Sequence, residues 1–102
     1  MNFGQALEAV KNGKLIRRGY WEKGHFVFMQ IPSEIKAEIV PKMQSVPDAV
    51  KEVLKKRFED PNEQIDSINY INQFAFVGWS SFISGWSPSP EDCLAEDWEL
   101  FE

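Results

Sequence analysis

At 102 residues the chain is sized for one domain, and such a domain buries only about two-thirds of its unfolded surface, so self-association would help it. Its hydrophobic content of 43% and aromatic content of 14% exclude a disordered chain, and a net charge of −5 argues against a surface built for long nucleic acid. The single cysteine, Cys93, excludes an intrachain disulfide framework, and the absence of a long apolar run or a signal-peptide pattern leads to the expectation of a cytoplasmic protein with no membrane partner.

Asn2 and Gln5 match the Asn-x-x-Gln form of a capping box. Phe3, Ala6, Leu7 and Val10 then recur at i, i+3, i+4 and i+7, which predicts a helix over 3–12 with a core-facing stripe. Gly13 ends it. Residues 14–18 read as a strand, in which Arg17 and Arg18 point to opposite faces. Either one of them reaches a pocket while the other meets solvent, or both are solvated. Trp21 sits at the strand's end beside the turn-like Glu22-Lys23-Gly24 cluster, where a tryptophan is often half exposed. Residues 25–31 are apolar on both faces and read as a central strand. The lone histidine, His25, begins that strand. One histidine and one cysteine make no zinc cluster, and no spacing supports a nucleophilic pairing of His25 with Cys93.

Residues 32–43 carry a helix-like pattern in Ile35, Ile39, Val40 and Met43, worth a turn or two, which Pro41 interrupts. Ser45-Val46-Pro47-Asp48 reads as a Ser-x-x-Asp start for a helix over 47–58. Val50, Val53, Leu54 and Phe58 supply its apolar stripe, and Glu52 with Lys56 is a favourable i,i+4 pair. Its basic side, Lys51, Lys55, Lys56 and Arg57, is either a solvated face or an attraction for an anionic ligand. Residues 68–77 alternate loosely and read as one interior strand. Gly78-Trp79-Ser80-Ser81 reads as a hairpin turn, with a returning strand over 82–86.

The densest stretch is 85–98, Gly-Trp-Ser-Pro-Ser-Pro-Glu-Asp-Cys-Leu-Ala-Glu-Asp-Trp. Ser89 reads as a helix N-cap, Pro90 suits the first helical position, and Asp92 completes a capping-box-like Ser-x-x-Asp. A short helix over 90–95 and a last strand over 97–101 follow. An exposed helix N-terminus beside the Trp86 indole would suit a phosphorylated, ring-bearing small molecule. The alternative is a strand–turn–helix corner whose tryptophan is core. Trp98, beyond the helix, reads as core rather than ligand wall.

The expected fold is therefore α+β. A single domain over 1–102 holds a mostly antiparallel sheet of four or five strands, an N-terminal helix, an inserted helix and a short helix before the last strand. No hydrolytic pair, metal cluster, Walker loop or dinucleotide glycine fingerprint is present, so no catalytic residue, metal or cofactor is expected.

The opening Met1-Asn2-Phe3-Gly4-Gln5-Ala6-Leu7, the Gly13-Lys14…Arg17-Arg18-Gly19-Tyr20-Trp21 segment, and Trp86-Ser87-Pro88-Ser89 with Asp92-Cys93-Leu94-Ala95-Glu96-Asp97-Trp98 resemble the Thoeris anti-defence two family of small phage proteins. The resemblance covers roughly the first thirty and last twenty residues, and the middle, about 33–72, is longer than the family pattern. It implies a non-enzymatic sponge for cyclic nucleotide signals of bacterial immunity, notably glycocyclic ADP-ribose and in some members cyclic dinucleotides, acting in the infected host's cytoplasm. It also implies a homo-oligomer, a dimer of dimers, with ligand between protomers. Carried onto this chain, Trp21 and Trp86 become stacking walls, with Pro88 beside them. Ser89 holds polar or phosphate oxygens, Asp92 caps the helix or accepts from a ribose or base, and Arg18 or Arg17 pairs with phosphate. A small enzyme that degrades such a nucleotide, or an interaction module with no small-molecule ligand, are the alternatives.

Overall fold

The computed structural model describes residues 1–102. In chain order the elements are α1 (Phe3–Lys11), β1 (Ile16–Arg18), β2 (Phe26–Met29), β3 (Ser33–Lys36), α2 (Asp48–Glu59), β4 (Ser67–Tyr70), β5 (Phe74–Val77), β6 (Ile83–Gly85), α3 (Pro90–Leu94) and β7 (Trp98–Leu100), with short 3-10 turns at Val40–Lys42 and Trp79–Ser81. They form two compact units, Met1–Ile31 with Asn72–Glu102, and Pro32–Ile71.

The first unit is a five-stranded antiparallel sheet in the order β6-β5-β2-β1-β7, with α1 packed on one face. The capping box of α1 is complete: Asn2 Oδ1 accepts from the Gln5 amide and Gln5 Oε1 accepts from the Asn2 amide, both at 2.9 Å. Gly13 ends the helix at φ +85°, a conformation that strains any residue with a Cβ, and its N–H bonds Val10 O. The Phe26-Val27-Phe28-Met29 run forms β2, the middle strand, with Val27 buried under α1 and Phe26, Phe28 and Met29 half-buried. Ala6 and Val10 from α1 meet Ile16, Val27 and Trp98 from the sheet in a fully buried core. Trp98 is core, as its position beyond α3 predicts, and its indole N–H donates to Asp92 O at 2.9 Å.

The second unit pairs β3 with β4, Ser33↔Tyr70 to Lys36↔Ser67, and adds α2. The helical pattern over 32–43 does not hold. Residues 33–36 are extended, because Ile35 lies opposite Ile68 across a two-stranded ladder, and only Val40–Lys42 turn as a 3-10 helix. The single strand over 68–77 is in fact two, β4 and β5, which belong to different sheets. The break falls at 71–73, where Gln73 O accepts from the Gln30 amide and closes the β2–β5 pairing. The Ser45 cap also does not form: Pro47, with φ −61° and extended ψ, occupies the cap position of α2 and no side chain bonds the first turn.

The α+β class, the mostly antiparallel sheet and the three expected helices are all present. No helix is long and apolar enough to cross a membrane.

Candidate functional site

The motif that dominates the sequence folds onto the end of β1. Ser89 Oγ accepts from the Asp92 amide at 3.0 Å, and Asp92 Oδ2 accepts from the Ser89 amide at 2.9 Å, so the Ser-x-x-Asp box closes in both directions. Pro90 has no N–H to satisfy. Of the first-turn amides only that of Glu91 lacks a partner in the chain, and the same turn carries the Glu91 and Asp92 carboxylates. The open anion well expected from the sequence is thus largely filled by the helix's own cap. The Ser89 hydroxyl proton remains unassigned, because its oxygen is used only as an acceptor and the residue is exposed.

Asp92 has a second task. Its Oδ1 accepts from Arg18 Nη1 at 2.6 Å, while Arg18 Nε donates to Asp97 Oδ1 at 2.5 Å. Arg18 is buried at 6% exposure, with its guanidinium 4.9 Å from the Tyr20 ring centroid and 5.7 Å from that of Trp98. Burial opposes its charge, but the hydrogen bonds to Asp97 and Asp92 outweigh burial and raise its pKa. Burial likewise opposes the Asp92 charge, yet hydrogen bonding with Ser89 and the Arg18 guanidinium prevail and hold that carboxyl below the ordinary range. The two arginines do face opposite ways, but neither is a free cation. Arg17 Nε lies 3.2 Å from Glu99 Oε1, and its Nη2 donates to Trp21 O.

Trp21 and Trp86, far apart in sequence, are brought into contact. Their ring centroids lie 6.3 Å apart at 78°, and each also meets Trp98 edge to face, at 5.5 and 6.0 Å. Phe76 packs on Trp21 and Phe74 on Trp86. Both indoles are half-buried against the core. Edge-to-face rings in contact leave no slot between them, so a flat ligand can stack on an outer indole face but not between the pair. Pro88 is half-buried in the turn between Trp86 and Ser89. Trp21, Arg18, Trp86 and Asp92 therefore belong to one connected cluster. Arg17 joins it through the Trp21 carbonyl.

Asp97 and Tyr20 are the members that sequence reasoning missed. The alternation of β1 signals only that some carboxylate is needed: with Ile16 inward, Arg18 is inward too, and a buried guanidinium requires one, but nothing local names Asp97. His25 lies with its ring edge on Trp79 at 4.8 Å and on Phe76 at 5.5 Å, and its buried Nε2 has no partner. No group of three or more His, Cys, Asp or Glu is placed to hold a metal. In the second unit a separate cavity of about 490 Å³, bounded by Val40, Pro41, Lys51, Lys55 and Phe58 among others, includes two lysines of the basic side of α2, balanced by Asp48 and Glu52, and none of the residues expected to touch a ligand directly.

No curated protein matches the chain. The pattern of the Thoeris anti-defense 2-like domain, however, matches residues 1–101. That span takes in α1, the Arg18–Asp92 lock, the tryptophan cluster and the long middle segment alike, and the chain belongs to the Thoeris anti-defense 2-like family.

Proposed function

We propose that this protein blocks Thoeris defence by sequestering a cyclic nucleotide messenger, glycocyclic ADP-ribose or a cyclic dinucleotide, without turning it over, as a homo-oligomer in the cytoplasm of an infected bacterium. The observation that carries this reading is the meeting of Trp21 and Trp86 beside the Ser89 turn in a chain of an anti-defense family. Base–aromatic stacking tolerates any ring, and an outer indole face supplies it. The Ser89 O–H donates to a polar or phosphate oxygen. Arg17 lies on the opposite face of β1 from Arg18 and is paired with Glu99, so it serves this site by holding the Trp21 carbonyl rather than by reaching a phosphate. Arg18, held between Asp92 and Asp97, positions α3 on β1 rather than reaching for ligand, and Asp92 serves the same lock. Pro88 stiffens the turn that presents Trp86. Holding a ligand in this way needs no general base or metal, and none is invoked.

Calorimetric titration with glycocyclic ADP-ribose and a panel of cyclic dinucleotides tests it, followed by heat denaturation and mass spectrometry of the released nucleotide. Saturable binding and full recovery of intact ligand are expected. Trp86→Ala should weaken binding roughly five- to hundredfold, the equivalent of about 1–3 kcal/mol, while the fold survives. A new product in the released fraction would mean a degrading enzyme. No binding by any member of the panel, with unchanged melting temperature and tryptophan fluorescence, would mean an interaction module.

A further inference from the structure

The five-stranded sheet has two edges, and they are finished differently. The β7 edge is occupied by the chain itself: the Met1 ammonium donates to Trp98 O at 2.6 Å, and the Trp98 amide donates to Met1 O at 3.1 Å. It also carries a charge, Glu99. The β6 edge has neither protection. Phe82 O accepts from the Gly78 amide, the Trp86 amide donates to Phe74 O, and Ser84 pairs with Phe76, so these residues turn their backbone groups inward to β5. By the alternation of a strand, Ile83 and Gly85 turn their N–H and C=O groups outward. All three residues of β6 are exposed, and Trp79, Phe82 and Ile83 show 67%, 79% and 65% of their surface.

An exposed apolar edge with no charge, proline or bulge is a template for another strand, and proteins ordinarily guard against it. We propose that β6 pairs antiparallel with β6 of a second copy of this chain about a two-fold axis at Ser84, joining two five-stranded sheets into one of ten strands. The inference rests on the oligomeric part of the reading above and on nothing about the ligand.

Two features select a second copy as the occupant. First, the edge is self-complementary. In a register centred on Ser84, Ile83 lies opposite Gly85 of the partner subunit, and the reverse, so all four outward groups of each strand are used in four hydrogen bonds. This is the isologous arrangement a two-fold requires. Second, the chain carries a net charge of −5 but has no charged residue between Asp66 and Glu91. Two copies of an acidic protein repel each other over most of their surfaces, and the strand pairing meets through the stretch where neither carries charge. A three-residue ladder alone is small against the roughly 1,200–2,000 Å² of a stable interface, so burial of Trp79, Phe82 and Ile83 is part of the same contact.

In the non-hydrogen-bonded pair at the axis, the two copies of residue 84 come within disulfide range, with Cα atoms about 4.5 Å apart. The test is therefore Ser84→Cys in a Cys93→Ser background, since native Cys93 is exposed. Mild oxidation of the ligand-free protein should give a covalent dimer in near-stoichiometric yield, with an unchanged melting curve under reduction. Light scattering of the otherwise native chain should give an even multiple of the chain mass at micromolar concentration. Ile83→Pro, which removes one outward N–H and spares the inward ladder, should halve that mass. Ile83→Lys should do the same by placing two like charges at the contact, and it keeps the test open if the proline variant fails to fold. A single-chain mass for the native protein overturns the proposal, as does an oligomer indifferent to both Ile83 substitutions or an introduced thiol at position 84 that stays unpaired. Nucleotide binding, measured separately, reports on the functional reading alone.

Discussion

The two units of this protein use the same vocabulary to different depth. In Met1–Ile31 with Asn72–Glu102, both helices have reciprocal capping boxes, five apolar residues are fully buried, and a buried arginine bridges two carboxylates. In Pro32–Ile71, α2 has no side-chain cap and no buried residue, and Val40 is the one fully buried apolar side chain. The Val50 and Val53 side chains of α2 are 44% and 51% exposed. Amphipathic patterning is present in both regions, but in α1 the stripe includes the fully buried Ala6 and Val10, whereas in α2 Leu54 and Phe58 are only half-buried and Val50 and Val53 are exposed. A stripe yields stability only when something packs on it, and a helix of 12 residues is marginal on its own propensity. The units should therefore differ in local stability far more than their similar sequence patterns imply.

Native-state hydrogen exchange measures that difference directly, and it is the largest effect expected. Amides of Ile16 and Val27, in the core strands, should exchange only through global unfolding. Amides in the middle of α2 should exchange through local opening, faster by at least about a thousandfold, which corresponds to about 4 kcal/mol. Equal protection in α2 and β2 would mean that α2 is held by packing as firmly as the sheet, and the contrast between the units would collapse.

The lock at Asp92 gives the first unit a buried electrostatic signature, whereas the ion pair of the second, Glu34 with Lys36, is exposed and worth little to stability. Because the folded pKa of Asp92 lies below its ordinary value, the folded state holds this proton more weakly than the unfolded chain does. Its contribution is then fully present above the ordinary carboxylate pKa and is lost as pH falls through the folded value, so the change is confined to acid, below about pH 4. Asp92→Asn keeps an acceptor for the Ser89 amide but removes the charge facing Arg18. It should cost about 1.5–3 kcal/mol at pH 7, the worth of a hydrogen bond to a charged group. The gap to the native protein should narrow as pH falls below 4. Denaturant titrations at pH 3, 5 and 7 measure this. A gap that is the same at all three pH values would show that Asp92 acts through shape alone.

Much of the first unit was legible because its signals are local. The Asn2–Gln5 box, the i, i+3, i+4, i+7 stripe of α1, the two-faced apolar run of β2 and the Ser89–Asp92 box each specify their structure within a few residues. What was not legible depends on partners distant in sequence. Residues 33–36 read as part of a helix because Ile35, Ile39 and Val40 have helical spacing, and only the strand at 67–70 makes them extended. The run from 68 to 77 read as one strand because its alternation continues, but Ser67–Tyr70 and Phe74–Val77 pair with strands of different sheets. In the site, local reasoning placed Trp86 and Ser89 in one turn. It could not anticipate that Arg18 would already be spoken for by Asp97, 79 positions away.

The two Ser-x-x-Asp segments put this lesson in its smallest testable form. Ser89-Pro90-Glu91-Asp92 and Ser45-Val46-Pro47-Asp48 have the same serine-to-aspartate spacing, and they differ in where proline stands. In the first, Pro90 is the residue after the cap, where its fixed φ suits the first helical position and no N–H is needed. In the second, Pro47 comes two residues after the serine and itself occupies the cap position. The helix then begins at Asp48, and Ser45 lies outside it with no bond to the first turn. Ser89→Ala should therefore cost about 0.5–2 kcal/mol, the usual value of a serine N-cap. Ser45→Ala should stay within about 0.5 kcal/mol, like other surface substitutions away from such features. Paired urea melts of the two variants resolve the difference. If the two alanines cost the same, Ser45 contributes a cap to α2 after all, and proline position does not decide which of two identical spacings becomes a helix start.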